Sequence, residues 1–382
     1  MNKVVLGIEN IDKYMHVFEG KRVGLITNPT GIDSSFKSSI DILREKTNLV
    51  ALFSPEHGVR ASIQAGQKLD TYVDEETGIT VYSLYGATKK PSKEMMDLID
   101  IIAIDIQDNG SRYYTFIYTM AYCMQACAEY GKTFVVFDRP NPINGEQVEG
   151  NKLDVAKYRS FVGYYEMPQR HGLTMGELAK LFNEEYGIGC NLEVIPMTGW
   201  ERWMDFEDTH LPWVIPTPNL PTIAASYAYN ATCIFEGTNV AEGRGTTTPF
   251  ELIGAPWFKS EQLSRELNAL NIPGVYFRPQ YFTPTFSKYA GTLCGGVYVH
   301  ITDRKVFNGV NCSFIVLDHI RNNYKEHFKV NPPYVEGRPT LFHFEAGRDE
   351  FIVPTCTIKE QLEILEHDSN EFKEIRKKYL IY

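Results

Sequence analysis

The sequence lacks a long apolar run, a glycine-rich phosphate loop and any excess of positive charge. Its apolar runs fall well short of the roughly 18 residues that indicate a membrane-spanning helix. Neither G-x-G-x-x-G after the first strand pattern nor G-x-x-x-x-G-K-[ST] occurs, so the usual fingerprints of nucleotide binding are missing. The formal net charge of −10, without a Lys/Arg cluster, argues against a nucleic-acid-binding surface. These absences favour a soluble globular protein that has no membrane span, binds no nucleic acid and takes another kind of ligand.

Cysteines are few and their spacing does not pair them. The seven cysteines lie mostly far apart, and their odd number predicts reduced, largely buried thiols. Cys123 and Cys127 are four residues apart and could share a helix face as metal ligands, but no His or further Cys flanks them. The zinc-binding pattern H-E-x-x-H is also absent. We therefore predict no metal and no cofactor.

The first ten residues do not have the form of a signal peptide. The apolar stretch within Met1 to Asn10 is short, and Glu9 follows it directly. As it stands, the chain is therefore predicted to be cytoplasmic, and it would be exported if a leader has been removed. The sequence predicts no particular oligomeric state.

The first 140 residues alternate short apolar runs with helical patterns. Apolar runs predict strands over residues 21–27, 49–53, 79–84, 98–106 and 133–137. Helices are predicted from Ser34 or Ser35 to about Lys46, and from about Tyr114 to Tyr130, where Gly131 ends the helix. This alternation predicts an α/β fold with a Rossmann-like parallel sheet and right-handed crossovers.

Each of these strands runs into a cluster of polar residues. The clusters are Asn28, then Glu56 with His57, then Gln107 and Asp108 with Arg112, then Asp138, Arg139 and Asn141. The carboxyl ends of parallel strands share one edge of the sheet, where ligands bind. We therefore expect these side chains to meet in one crevice, although Asn-Pro and Ser-Pro are also ordinary turn sequences. A Glu-His pair at such a strand end suggests proton-transfer chemistry.

The composition changes near residues 150–158, which predicts one domain over 1–155 and a second, α+β domain over 156–382. Thr174 and Glu177 form a capping-box pattern that predicts a helix start. Strands are predicted over 192–196 and 296–302, and helices over 261–270 and 306–324.

Two loops of the second half are candidate site segments. The proline-rich loop 212–221 carries Trp213 and Asn219, and it could line a sugar site or pack between the domains. Residues 235–251 contain three glycines, several acids and one arginine, so that backbone amides and charges could approach a ligand closely. No catalytic signature is evident in the last 80 residues, where the segments 343–345 (HFE) and 348–349 (RD) are charged but isolated.

Five segments together resemble the bacterial exo-β-N-acetylmuramidase family, long known only as a domain of unknown function. They are 23–31 (VGLITNPTG), 54–58 (SPEHG), 105–115 (DIQDNGSRYYT), 138–142 (DRPNP) and 236–246 (EGTNVAEGRGT), in that order. The resemblance implies a glycoside hydrolase that releases terminal N-acetylmuramic acid from the non-reducing end of peptidoglycan fragments. It also implies a Rossmann-like domain joined to a second domain across a cleft, with a family glutamate at Glu56. The alternatives are a non-catalytic protein that binds peptidoglycan or amino sugars, and a nucleotide-dependent transferase, against which the missing phosphate loop counts.

Glycoside cleavage requires an acid that protonates the leaving oxygen and a second group that attacks or activates water. Glu56 is the predicted acid/base. His57 could orient it, shuttle a proton, or simply hydrogen-bond a loop carbonyl. Asp108 and Glu236 are the candidate second carboxylates, unless the N-acetyl oxygen of the substrate attacks.

Muramic acid carries a lactyl carboxylate, for which an arginine fork is suited. The candidates are Arg244 and Arg112, followed by Arg60, although each could instead be a structural ion-pair partner. The side-chain amides of Asn28, Asn141 and Asn239 could donate to sugar hydroxyls. The remaining predicted substrate contacts are Asn219 and Tyr114. The expected partner is thus an oligosaccharide derived from peptidoglycan.

Overall fold

The computed structural model describes residues 3–56, 58–60, 71–86, 89–353 and 355–382. The strands are β1 (Arg22–Thr27), β2 (Asn48–Ser54), β3 (Tyr72–Val73), β4 (Thr80–Ser83), β5 (Ile101–Asp105), β6 (Thr133–Phe137), β7 (Asn191–Ile195), β8 (Leu252–Ala255), β9 (Val275–Phe282) and β10 (Cys294–Ile301). The helices are α1 (Met15–Phe18), α2 (Ser39–Lys46), α3 (Lys93–Asp97), α4 (Phe116–Tyr130), α5 (Val155–Tyr158), α6 (Met175–Glu184), α7 (Ile223–Thr232), α8 (Ser260–Asn268), α9 (Gly309–Asn323), α10 (Leu341–Ala346), α11 (Asp349–Ile352) and α12 (Ile358–Arg376). Short 3-10 helices cover Gly7–Tyr14, Phe206–Thr209, Cys233–Gly237 and Lys377–Tyr379.

A seven-stranded sheet forms the larger layer, in the order β3-β4-β2-β1-β5-β6-β7. All neighbouring pairs are parallel except β3 with β4. Its central strands are apolar on both faces because helices and loops cover both sides. The predicted α/β fold with a parallel sheet is confirmed, with an antiparallel edge strand in addition.

A second, antiparallel sheet has the order β8-β10-β9 and packs with α8 and α9 around its own core. The predicted second unit with its own strands is therefore present. The boundary at residue 155 stays a prediction. Strand β7 pairs with β6, so the large sheet takes a strand from beyond that residue.

Two helices connect the cores of the two sheets. In α12, Leu365 lies in the core of the small sheet and Phe372 in that of the large sheet. In α7, Ala225 lies in the core of the large sheet and Ala231 lies in the core of the small sheet. Because each helix is a continuous hydrogen-bonded rod, these contacts fix one sheet relative to the other. A cleft between them therefore has two firmly held walls.

Most predicted elements are present, but α2 begins later than expected. Its N-cap is Ser38, whose side chain accepts a hydrogen bond from the Asp41 amide, and not Ser34 or Ser35. The reason is Asp33, whose carboxylate accepts from the backbone amides of Ser35 and Lys37 and so holds a turn there. The predicted Thr174–Glu177 capping box is confirmed, as is the left-handed Gly131 at the end of α4.

The seven cysteines are all free, and all but the half-buried Cys356 are buried. This confirms the prediction of reduced, largely buried thiols. Within the described ranges, no helix has the length and apolar character needed to cross a membrane.

Candidate active site

A cleft of about 420 Å³ separates the two units. One wall comes from the carboxyl ends of β2 and β4, the start of α4 and the loops around residues 161 and 219. The other comes from α7, the 3-10 helix Cys233–Gly237, the loop after it and α10. The lining residues are Glu56, Tyr85, Tyr113, Tyr114, Thr115, Phe161, Val162, Thr217, Asn219, Leu220, Tyr229, Cys233, Glu236, Arg244, Phe250, Tyr334, Leu341 and Glu345.

Glu56 enters the cleft two residues after β2 ends, behind Pro55. The hydroxyl of Thr115, at the start of α4, donates to Glu56 Oε2 at 3.2 Å. Burial raises the pKa of Tyr85, and the charge of Glu56 together with a hydrogen bond to it raises that pKa further. Glu56 is therefore a half-buried carboxylate held by hydroxyl groups on the large-sheet wall. Its neighbour His57 lies outside the described residues.

Glu236 and Arg244 form an ion pair on the opposite wall. Arg244 donates through Nε to Glu236 Oε1 at 2.8 Å, and its Nη2 lies 2.7 Å from the same oxygen. Glu242 lies 3.4 Å from Arg244 Nε, and the guanidinium sits 5.0 Å above the Phe250 ring. Burial lowers the pKa of Arg244, but the charges of Glu236 and Glu242 outweigh it and raise the pKa overall. The arginine is therefore a fixed cation at the cleft surface.

Glu345 on α10 is a cleft residue that the sequence analysis missed. Its side chain is buried, and Oε2 has no hydrogen-bond partner among the described residues. Oxygens of Glu345 and Glu236 and the Cys233 sulfur all lie within 4.8 Å of one another. Burial, followed by the charge of Glu236, raises the pKa of Glu345 well above its usual range. No sequence signal marks it, because it comes from a six-residue helix far along the chain from Glu236.

Five of the predicted site residues meet in this cleft: Glu56, Tyr114, Asn219, Glu236 and Arg244. Burial raises the pKa of Tyr114 well above its usual range. The structure thus brings together two predicted catalytic carboxylates and one predicted cation from opposite walls. Besides Glu345, the sequence analysis missed the aromatic residues Tyr85, Phe161, Tyr229 and Tyr334, for which only the high aromatic content was a signal.

Arg112 was predicted to bind the substrate, but the structure does not place it at the cleft. It is fully buried, and its guanidinium donates to the backbone oxygens of Asn151, Met167 and Glu345, each at 2.8 Å. Its Nε has no hydrogen-bond partner among the described residues, but Arg112 is not one of the residues that line the cleft. It instead fixes the backbone that carries Glu345.

Arg60 is also committed elsewhere. Its Nε and Nη2 donate to the two oxygens of Asp74, each at 2.9 Å. The planar fork is thus matched to a carboxylate of the chain itself, which is the structural ion pair that the sequence analysis gave as the alternative to substrate binding.

The three remaining asparagines serve turns and loops. Asn28 Oδ1 accepts from the amide and hydroxyl of Thr30. Asn141 bridges backbone groups of Leu173 and Ile143. Asn239 does the same for His327 and Lys329. At Asn141 and Asn239 the amide nitrogen that was predicted to donate to sugar hydroxyls donates to a backbone oxygen instead, whereas at Asn28 the turn uses only the amide oxygen.

Asp108 lies in the interior rather than on the cleft wall. Its Oδ2 accepts from the Gly110 amide at 2.7 Å and is 3.4 Å from Nε2 of the buried His171. The edge of the sheet beside it is filled by a structural ion pair, in which Arg139 Nη2 donates to Asp105 Oδ2 at 3.0 Å. Polar residues do converge on one sheet edge, but the cleft opens at the ends of β2 and β4.

Cys233, Glu236 and Glu345 are spaced so that they could hold a metal ion. Burial raises the pKa of the Cys233 thiol well above its usual range, which opposes the thiolate that a metal requires. Arg244 already supplies the positive charge beside Glu236. This donor set therefore fits an internal guanidinium better than a bound cation.

Two family models match the chain in succession. The model described as "Exo-beta-N-acetylmuramidase NamZ, N-terminal" matches residues 23–224, and its C-terminal counterpart matches residues 227–382. A peptidoglycan beta-N-acetylmuramidase NamZ of Bacillus subtilis (strain 168) is 49% identical over 386 aligned residues, covering 100% of this chain and 92% of that one.

Two solved structures are similar over the whole chain. A DUF1343 family protein from Bacteroides fragilis NCTC 9343 is 38% identical with a TM-score of 0.91, covering 100% of this chain and 99% of that one. A second DUF1343 family protein from the same strain is 33% identical with a TM-score of 0.78, at the same coverage.

Proposed function

We propose, on the premise that this chain belongs to the exo-β-N-acetylmuramidase family, that its cleft cleaves amino-sugar glycosides. The chain is an exo-acting glycoside hydrolase that releases terminal N-acetylmuramic acid from the non-reducing end of peptidoglycan fragments. One observation supports the cleft as the place of this reaction: Glu56 on one wall faces the Glu236 and Arg244 pair on the other.

Glu56 is our candidate acid/base. Cleavage requires a proton on the leaving oxygen as the glycosidic bond breaks, and Glu56 would transfer it from its carboxyl group. The Thr115 hydroxyl would hold one carboxyl oxygen while the other reaches the substrate. The same carboxylate could then accept a proton from the incoming water. Partial burial suits this role, because it reduces competition from bulk water.

Glu236 is our candidate for the second group, in preference to Asp108. Its ion pair with Arg244 holds its carboxylate at the cleft surface, where it could attack the anomeric carbon, activate water or orient the N-acetyl group. Asp108 lies outside the set of residues that line the cleft. It would therefore stabilise the interior behind Tyr114.

Arg244 is our candidate for recognition of the lactyl carboxylate. Its Nε donates to Glu236 and its Nη2 lies beside the same oxygen, so Nη1 is the atom that we expect to meet a ligand anion. The aromatic rings of Tyr85, Phe161 and Tyr229 offer apolar faces to sugar rings in the same cleft.

The decisive experiment compares a chromogenic β-N-acetylmuraminide with the matching glucosaminide. We expect release from the muraminide, and a loss of at least about 100-fold in kcat for Glu56→Gln, as is typical when a general acid is removed. Glu326→Gln, which changes an exposed carboxylate, is the matched control and should leave kcat unchanged. Release from neither substrate would contradict the proposed reaction. If Glu56→Gln kept full turnover, another group would have to be the acid.

A further inference from the structure

The carboxyl group of Glu345 is an unusual feature of the cleft wall. Glu345 is only 1% exposed, yet it lines the cleft. Its Oε2 is buried without a hydrogen-bond partner in the described part of the chain. The Cys233 thiol approaches Oε1 only, at 4.0 Å. An unpartnered buried polar atom is costly, so a ligand that completes its hydrogen bonding would be favoured here.

The cations on this side of the cleft, Arg244 and Lys288, are paired with carboxylates other than Glu345. The 3-10 helix contributes Cys233 and Glu236, and the following loop contributes Glu242 and Arg244. Lys288 donates to Glu242 at 2.8 Å. The carboxylates of Glu236 and Glu242 are therefore paired with these two cations, and among the described residues no salt bridge reaches Glu345. The charge of Lys288 lowers the pKa of Glu345, but burial and the charge of Glu236 raise it by more.

The other groups near Glu345 do not supply a positive charge to its carboxyl group. Tyr113 offers only a hydroxyl group, whose pKa is raised by burial. Arg112 is bound to the backbone oxygen of Glu345. The raised pKa of Glu345 agrees with this arrangement, because burial and the charge of Glu236 both favour the protonated form.

We propose that Glu345 is a neutral carboxylic acid that donates its O–H to the ligand's carboxylate beside Arg244, and so helps to select the lactyl-bearing sugar. This inference rests on the proposed function, because it takes N-acetylmuramic acid as the ligand. A hydrogen bond to a charged acceptor is roughly twice as strong as one between neutral groups. An ionised glutamate in this position would repel the same ligand, whereas the acid form adds a donor without adding a charge.

Glu345 is thus a specificity-determining residue. Its test must separate the loss of a hydrogen-bond donor from a change in the shape of the side chain. Glu345→Gln keeps a neutral donor of the same size. Glu345→Met fills the same space without a donor, and Glu326→Gln repeats the loss of one carboxylate at an exposed position. Calorimetry on the full chain would give the dissociation constants of N-acetylmuramic acid and N-acetylglucosamine, with thermal unfolding as the check on folding.

We expect Glu345→Met to weaken binding of N-acetylmuramic acid by about 10-fold or more. Glu345→Gln and Glu326→Gln should stay within about 3-fold of the unaltered protein, since a neutral donor is kept or the cleft is untouched. The affinity for N-acetylglucosamine should be the same in all four proteins. This expectation is also met if none of the four binds this sugar measurably. On the muraminide, the Met variant should raise KM more than it lowers kcat.

Equal weakening of both sugars by Glu345→Met, or no weakening of either, would overturn the inference. So would a Gln variant that behaves like Met. If the unaltered protein hydrolyses the muraminide but binds both sugars equally, this inference fails while the proposed function stands. If the protein binds N-acetylmuramic acid selectively but does not hydrolyse the muraminide, the proposed function fails while this inference stands.

Discussion

At the scale of single residues, a carboxylate that lies at the cleft surface and one that lies behind it in the interior have different partners. Glu236 faces the cleft and is paired with Arg244. Asp108 also carries a carboxyl group but is turned inward towards Gly110 and His171. Burial and partner therefore decide which carboxylate can take part in chemistry.

Substituting these two residues gives contrasting expectations. Glu236→Gln should lower kcat on a chromogenic muraminide by about 100-fold or more, because it removes the charged group nearest Arg244. Asp108→Asn should lower the unfolding temperature, since it disturbs a buried polar site, while kcat changes far less. Steady-state kinetics and thermal denaturation of both variants check this. A larger kcat loss for Asp108→Asn than for Glu236→Gln would reverse the assignment.

Of the eleven predicted site residues that the structure describes, five line the cleft, and the other six do not for physical reasons. Glu56 was accessible to sequence reasoning because a buried strand ends two residues before it. Arg112 and Asn141 were not, because whether a polar side chain faces a ligand or a backbone carbonyl depends on the loop that folds over it. Glu345 depends on the packing of two units, and such a contact leaves no local pattern.

At the scale of elements, α10 reaches the cleft because Gly237 lets it approach. A Cβ at Gly237 would lie 2.4 Å from the Phe342 backbone nitrogen and 2.5 Å from its Cα. Backbone atoms cannot rotate away as a side chain can, so the helix itself would have to move. Glycine at this position therefore holds Glu345 close to Glu236.

Gly237→Ala should consequently reduce both stability and activity. Overpacking of this kind typically costs about 1–3 kcal/mol, and the displaced α10 should raise KM for the muraminide. Gly309→Ala is the matched control, because its added Cβ would meet its nearest neighbour at an ordinary 3.4 Å. Thermal unfolding and kinetics of the two variants provide the comparison. If both variants behaved alike, close approach at Gly237 would not be the cause.

The Arg60 and Asp74 pair gives an element-level pH dependence. The hydrogen bonds from Arg60 are the largest influence that lowers the pKa of Asp74, and the Thr77 hydroxyl adds to it. A depressed carboxyl pKa contributes stability above the unfolded value near 3.8, and this is lost as the pH falls through the folded value. The unfolding temperature of Asp74→Asn should therefore lie furthest below that of the unaltered protein near pH 7. The gap should narrow below about pH 4, and a constant gap would contradict the linkage.

At the scale of the whole molecule, α12 makes the two sheets depend on each other. Phe372 packs in the large-sheet core, while Leu365, which lies earlier in the same helix, packs in the small-sheet core. Arg376 at the end of the helix donates to the backbone oxygens of Gly145 and Gly172. The cleft geometry therefore depends on a helix that contributes no residue to its lining.

Phe372→Ala should test this dependence. Removing a buried phenylalanine typically costs about 3–5 kcal/mol, and we expect one cooperative transition at a lower temperature instead of separate melting of the two sheets. Calorimetry that compares the measured with the van't Hoff enthalpy distinguishes the two cases. Leu365→Ala should shift the same single transition. Two resolved transitions in either variant would show that α12 does not couple the cores.

The distribution of thiols has a practical consequence for work on this protein. Six of the seven cysteines are buried and Cys356 is half-buried. Alkylating reagents require an accessible thiolate, so brief treatment of the native protein should modify Cys356 first. A fluorophore could then be attached at one defined point without removing the other cysteines, and single-molecule distance measurements would need only one engineered second site.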